Sequence, residues 1–293
     1  MMTGIYAQLL IQGLAIGAIY GLLALGFVLV INAVNILNFA QGEFLMLGAF
    51  LGVTLSTVAG LPFALVMVGV VLITGLLGIA FDFAVYRPMR HGDFATHLIS
   101  TLAAAIIMRN VAQNVWGPEA RSYYEPFHQK VFQLGPLLIN PQHLLIFGVT
   151  LVLVGLLWVL FHRTGLGRLM RATAQDRATA RLVGVRVDRI GTITFGLASA
   201  IGGLAGVLLA PLFLVDLNVG FIAALKAFVA TIIGGWGSIP GALAGGLLVG
   251  LIEVFATHAF SSDYKDTAAF GVLMLFLVFR PGGMFPERIG EKA

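Results

Sequence analysis

The feature that most constrains this chain is a succession of long apolar runs with few charges inside them. They fall at roughly 9–31, 36–58, 62–84, 97–116, 141–161, 190–211, 220–236, 239–260 and 267–280. A helix needs about 20 mostly apolar residues to cross a bilayer. Here 59% of 293 residues are hydrophobic and 10% charged, more apolar surface than a water-soluble protein can hide. Helices satisfy their own backbone groups in lipid, and the alternation of barrel strands is absent. The fold class is therefore an all-α polytopic membrane protein of about eight or nine transmembrane helices, forming one domain over 1–293. The run at 220–236 is a candidate re-entrant segment. The first run lacks a basic leader and a small-residue cleavage site, so it reads as a span and not as a signal peptide.

Arginine placement sets the expected orientation. The segment 163–190 carries Arg163, Arg168, Arg171, Arg177, Arg181, Arg186 and Arg189, which marks it as cytoplasmic. Arg87 and Arg90, and the tail with Arg280, Arg288 and Lys292, fall on the same side. The opposite side receives Arg121, Lys130 and Lys265. Counting spans back puts the N-terminus outside and the C-terminus in the cytoplasm. The net charge of +4 is thus a topology signal and not a nucleic-acid footprint. The one long external loop, 117–140, holds Tyr123, Tyr124 and Phe127, which suit an interfacial aromatic belt or a cover over a transport path.

Chemistry is sparse. The chain has no cysteine, which excludes disulfides and cysteine-ligated metal. His97, His143, His162 and His258 make no metal-ligand spacing, and no nucleophile–base set emerges, so the chain is read as having no catalytic residue, metal or cofactor of its own. Gly234 to Gly250 lacks the lysine and hydroxyl of a phosphate loop. Gly234, Gly237 and Gly241 with Pro240 instead predict a bend at a helix junction. Gly241 and Gly245, then Ala242, Gly246 and Gly250, give small-residue packing surfaces. A span, a bend and a glycine-rich span occur in both halves, the pattern of an inverted repeat.

The polar exception is "NAVNILNFAQGEFLMLGAF", residues 32–50, with Asn32, Asn35, Asn38, Gln41 and Glu43 inside an apolar chain. Two readings stand. The amides bond across helices while Gly42 and Gly48 allow close packing. Or a helix breaks here, and its freed groups line a polar path for a solute. If the segment is helical, Asn35, Asn38 and Gly42 share one face, Gln41 flanks it, and Phe39 and Leu45 point elsewhere. The candidate path residues are Asn35, Asn38, Gln41, Gly42 and Glu43. Whether Glu43 meets the solute or pairs inside the protein is open. Of the other charges, Asp82 and Arg109 lie near span ends, where they can snorkel or pair, while Lys226 and Glu253 lie deep enough to pair with one another.

In the basic loop, Leu169, Met170, Thr173, Arg177, Ala180, Arg181 and Gly184 follow helical spacing, with small residues among the charges. A helix lying on acidic lipid headgroups would explain the arginines. It explains less well the small residues and the acids Asp176 and Asp188.

Three stretches, "RATAQDRATARLVGVRVDRIGTITF", "NILNFAQGEFLMLGAF" and "GGWGSIPGALAGGLLVG", occur in the order and over the extent of the permease subunits of branched-chain amino-acid ABC importers, which the chain resembles. That resemblance implies a bacterial inner-membrane importer subunit for branched-chain or hydrophobic amino acids. It further implies a related second permease, two cytoplasmic ATPase subunits that hold ATP and magnesium, and a periplasmic substrate-binding protein. Membrane lipid surrounds the chain, and no nucleic acid is involved. The segment that docks on the ATPase in such importers corresponds to 163–190, with Arg171, Ala174, Asp176, Arg177, Ala180 and Gly184 as candidate coupling residues. Two rival functions remain: a relative that carries urea or short amides, and an ion-coupled transporter using Glu43, Lys226 and Glu253.

Overall fold

The computed structural model describes residues 2–123, 132–134, 137–261 and 264–285. Each of the nine apolar runs contains a helix. α1 is Met2–Val34, α2 Gln41–Thr57 and α3 Phe63–Phe81, which continues through a π-turn at Asp82–Tyr86 into α4, Arg87–Met89. α5, Phe94–Trp116, and α6, Pro141–Arg163, flank a two-stranded hairpin, β1 Phe132–Leu134 and β2 Leu137–Ile139, in the register Phe132↔Ile139. α7 is Gly165–Gln175 and α8 Arg177–Leu182. The chain closes with α9 Val187–Leu209, α10 Val219–Gly234, α11 Ile239–Ala259 and α12 Lys265–Phe279. The hairpin is a short insertion between α5 and α6 in an otherwise helical fold among the described residues. Of the expected loop and tail residues, Tyr124, Phe127, Lys130, Arg288 and Lys292 lie outside the described residues.

Six of the described helices are long and apolar enough to cross a membrane: α1, α3 with its extension, α5, α6, α9 and α11. The other three runs are shorter, with 17 residues in α2, 16 in α10 and 15 in α12. At about 1.5 Å per residue such helices do not reach across a hydrocarbon core of about 30 Å.

The short helices α2 and α10 start inside the bundle. The side chain of Gln41, the first residue of α2, donates at 2.9 Å to the carbonyl of Ala198, midway along α9. From there α2 runs alongside α9 in the same direction, Gly48 against Gly203 and Gly52 against Val207. α10 starts where α2 starts, since Gly220 and Gly42 touch backbone to backbone. It runs the other way and ends at Gly234, near the turn whose Gly237 carbonyl accepts a 2.8 Å bond from Asn32 at the end of α1.

The two parts of the fold that carry these half-helices have the same plan. α1, the non-helical residues 35–40, α2 and α3 match α9, the non-helical residues 210–218, α10 and α11. α1 packs antiparallel on α11, with Gly13, Gly17 and Gly21 facing Leu251, Leu247 and Leu243. α3 packs antiparallel on α9, with Thr74 on Gly203 and Gly78 on Ser199. Lipid tails are as apolar as leucine, so close van der Waals approach at small residues is what joins such helices. The arrangement is that of an inverted repeat, visible in the structure although the sequence identity between the halves is weak.

Each half-helix is also laced to the helix that follows its repeat. Trp116 at the end of α5 donates its indole N–H to the Thr54 hydroxyl of α2 at 2.7 Å and stacks on Phe50. At the end of α10, the Ile233 and Gly234 carbonyls accept bonds of 2.8 and 2.9 Å from the Met284 and Phe285 N–H groups beyond α12. Lys226 of α10 sits 2.6 Å from Glu253 of α11 and 2.9 Å from Asp266 of α12, and Tyr20 of α1 donates to Glu253 at 2.8 Å. The expected Lys226–Glu253 pair is present, enlarged by two partners from other helices.

The basic face is held together by polar contacts. Buried Asp82 in the π-turn pairs with Arg87 at 3.0 Å and accepts from Thr192 of α9 at 2.7 Å. Arg90 and Arg181 both meet Asp188, at 3.2 and 3.3 Å, in exposed pairs of the kind that contribute little to stability. On the opposite face, Arg121 and Val215 exchange backbone bonds of 2.9 and 2.8 Å. Tyr123 beside them is buried, its ring edge-on to Phe63, and is not an interfacial residue.

Candidate functional site

The break between α1 and α2 shows what the amides do. The chain leaves the helix at Val34, and Asn35 adopts φ 55°, a left-handed conformation that asparagine enters more readily than other side chains. Asn38 is fully buried, and its side-chain oxygen accepts the Ala40 N–H at 3.1 Å, replacing a bond lost with the helix. Its Nδ2 has no hydrogen-bond partner among the described residues, nor has the Oε1 of buried Gln41. The predicted single face of Asn35, Asn38 and Gly42 therefore does not exist, because residues 35–40 are not helical. Gly42 is where α2 crosses α10, and a Cβ there would overlap the Gly220 carbonyl.

Glu43, in the first turn of α2, is 1% exposed. The positive end of a helix favours a carboxylate there. Its Oε1 accepts from Nη2 of Arg109 on α5 at 2.5 Å, so the charge is paired inside the protein. Arg109 lies within α5 and not at its end, contrary to the expectation from the sequence. The pair is used incompletely: Glu43 Oε2 and Arg109 Nε are both shielded and have no hydrogen-bond partner among the described residues.

Glu43 and Arg109 line a cavity of about 200 Å³, whose other walls include Phe27, Phe39, Leu102, Ile106, Phe221 and Phe228. Phe39 therefore shares the site with Glu43 instead of pointing elsewhere. The cavity lies beside the starts of both half-helices, since Phe221 is in the first turn of α10. It contains one carboxylate, one guanidinium and otherwise apolar side chains. Sequence reasoning found Glu43 here and missed Arg109 and the phenylalanines of α1 and α10.

The basic loop is two helices, not one. Asp176 separates them and caps α8, accepting the Ala178 and Thr179 N–H groups at 2.8 and 3.2 Å. Arg177 turns inward, donating to the Val34 carbonyl at 3.0 Å and the Tyr86 hydroxyl at 3.2 Å. Ala180 is buried, so neither it nor Arg177 is a free surface group. Arg171, Ala174 and Gly184 are exposed, and Leu182 and Val183 form an apolar tip at 86% and 73% exposure. Gly184 ends α8 with φ 87°, a conformation suited to glycine, and no atom lies within 4 Å of where its Cβ would be. In the glycine-rich turn, Gly234 and Gly241 meet backbone to backbone, Gly237 has φ 83°, Pro240 occupies the first turn of α11, and Gly245 faces the Ala230 carbonyl.

Residues 9–279 match the family model described as branched-chain amino acid transport system, permease component. The chain is 34% identical to the high-affinity branched-chain amino acid transport system permease protein BraD of Pseudomonas aeruginosa, over 98% of both chains. It is 30% identical to the permease protein LivH of Escherichia coli K12, over 98% of this chain and 97% of that one. In fold it is similar to PsaBC from Streptococcus pneumoniae in complex with Fab, with TM-score 0.51 and 16% identity over 94% of this chain and 92% of that one. With the matched residues running through every helix from α1 to α12, the chain belongs to the family of permease components of branched-chain amino acid transport systems.

Proposed function

We propose that this chain is one membrane-spanning half of an ATP-driven importer for branched-chain and other hydrophobic amino acids. The supporting observation is the cavity beside the two half-helix starts, apolar except for one carboxylate and one guanidinium. Such a lining suits a solute with an aliphatic side chain and a charged head, and it suits urea or short amides poorly. No feature of the site favours an ion-coupled mechanism, since Lys226 and Glu253 are engaged with Tyr20 and Asp266.

The family is a permease component, so ATP hydrolysis belongs to separate subunits. In this reading the assembly comprises a second related permease, two ATPases with ATP and magnesium, and a binding protein that delivers substrate from outside. The N-terminus is external and the C-terminus cytoplasmic. The exposed tip of the basic loop, Leu182 and Val183 beside Arg181, meets the ATPase, with exposed Arg171 and Ala174 of α7 on the same loop. Arg177 links that loop to the end of α1, where the break toward α2 begins. The deciding experiment is uptake by proteoliposomes holding the full assembly. ATP-dependent accumulation of leucine and valine, not competed by urea, is expected; accumulation of urea in preference to leucine would refute the reading.

A further inference from the structure

We infer that Glu43 and Arg109 form a binding station for the α-amino and α-carboxylate groups of a zwitterion, with the aliphatic side chain lodged among the surrounding phenylalanines. This rests on the amino-acid reading of the cavity and adds to it which atoms recognise the solute.

The argument starts from the incomplete pair. Arg–carboxylate pairs with a purely holding role tend toward two parallel bonds. Here one bond joins Nη2 to Oε1, while Oε2 and Nε remain shielded and unpartnered. Buried charged atoms without partners are costly, so the site is short of one donor for Glu43 and one acceptor for Arg109. An α-amino acid supplies both once the single Nη2–Oε1 bond opens and the two side chains turn into the cavity they line: its ammonium then donates to Oε2 and its carboxylate accepts from Nε. Zwitterion and ion pair are each neutral overall, so no net charge enters a low-dielectric space. A solute with only one of the two charges leaves the other half of the station uncompensated.

The remaining walls set the side-chain class. Ile106 and Leu102 of α5 line the cavity together with Phe221, Leu225 and Phe228 of α10. The volume of about 200 Å³ lies below the roughly 300–1,000 Å³ typical of drug-sized pockets. It suits one small hydrophobic amino acid. Sites built to hydrogen-bond a group reject analogues lacking it by about 10⁴ where pairing is complete. With only part of the bonding capacity free here, discrimination of about 100-fold is expected.

The test uses the complete transporter in nanodiscs without its binding protein, labelled with a photoreactive diazirine analogue of leucine. Labelled peptides should come from α5 and α10, and leucine should suppress the labelling. 4-Methylpentanoate, which lacks the ammonium, and isopentylamine, which lacks the carboxylate, should each need about 100-fold more to do so. The double variant Glu43→Gln, Arg109→Gln keeps a hydrogen bond and similar volume. It should lose site-specific labelling and at least about tenfold of transport while still assembling with the ATPase subunits. Equal suppression by leucine and 4-methylpentanoate, or wild-type transport by the double variant, overturns the station. If that variant fails to assemble, the wild-type competition alone decides. Should wild-type proteoliposomes accumulate leucine while label appears elsewhere, the station is wrong and the transport reading stands. Should they accumulate no amino acid, the transport reading itself fails.

Discussion

Gly42 and Gly220 touch backbone to backbone, each placed where a Cβ would run into the carbonyl oxygen of the other. Two helix starts that leave in opposite directions meet at this contact. Any side chain at either position forces α2 and α10 apart. Gly42→Val is therefore expected to destabilise the chain by about 1–3 kcal/mol or more, the cost of overpacking a tight contact. A lowered midpoint in thermal unfolding of the detergent-solubilised chain checks this, and an unchanged midpoint would mean that the helices are free to separate there.

Lys226 neutralises part of a buried cluster with Glu253, Asp266 and Tyr20. Lys226→Met leaves Glu253 ionised without its cation and should destabilise by about 3–5 kcal/mol. Adding Glu253→Gln should recover most of that loss, because replacing both members of a buried pair is often near neutral. A double-mutant cycle measured by unfolding gives the coupling; simple additivity would show that the pair contributes nothing to the packing of α10 on α11.

The basic loop offers a comparison of two variants. Arg177→Ala removes the bonds to Val34 and Tyr86 and should weaken communication without touching the exposed tip. ATPase subunits should still assemble, with stimulated hydrolysis reduced several-fold. Leu182→Asp alters the tip itself and should reduce ATPase assembly. Pull-down of the ATPases alongside hydrolysis rates separates the two effects; identical phenotypes would argue against distinct roles. Gly184 is a poor test position, because any side chain at φ 87° costs about 1–2 kcal/mol of backbone strain before docking is considered.

Topology can be read with single cysteines on a chain that has none. A cysteine at exposed Ser122 should react with an impermeant maleimide in intact cells, and one at exposed Thr179 only after permeabilisation. Labelling of position 179 in sealed cells would place the basic loop outside and remove its proposed role.

The nine helical segments were legible because apolar runs report burial or lipid contact directly. That α2 and α10 begin inside the bundle was less so, since a short apolar run does not say at what depth it starts. The amides after Val34 did mark the break, but extending helical spacing across 35–40 put Asn35, Asn38 and Gly42 on a face that the left-handed Asn35 abolishes. Arg109 was missed for another reason. Its partner is 66 residues away, and no local period reports a contact between helices. Phe221 and Phe228 gave no signal, as isolated aromatics in apolar runs do not, and the same helical extension put Phe39 on the wrong face. In the basic loop, composition showed charge and small side chains, whereas which of them turn inward depends on Val34 and Tyr86, contributed by other parts of the fold.

The lacing of each half-helix has a mechanical consequence. α2 is fastened to α5 at two levels, through Glu43 with Arg109 and Thr54 with Trp116. α10 is fastened to α12 and the segment after it, through Lys226 with Asp266 and through the Ile233 and Gly234 carbonyls. A beam supported at two points moves with its support instead of pivoting on it. Bending between these bodies therefore falls on residues 35–40 and 210–218, where the chain can rotate without breaking a helix hydrogen bond. The two pivots lead in from opposite faces, one from the basic face and the other from the face of Arg121, and converge where Gly42 meets Gly220, so a rotation at one is felt at the start of the other half-helix.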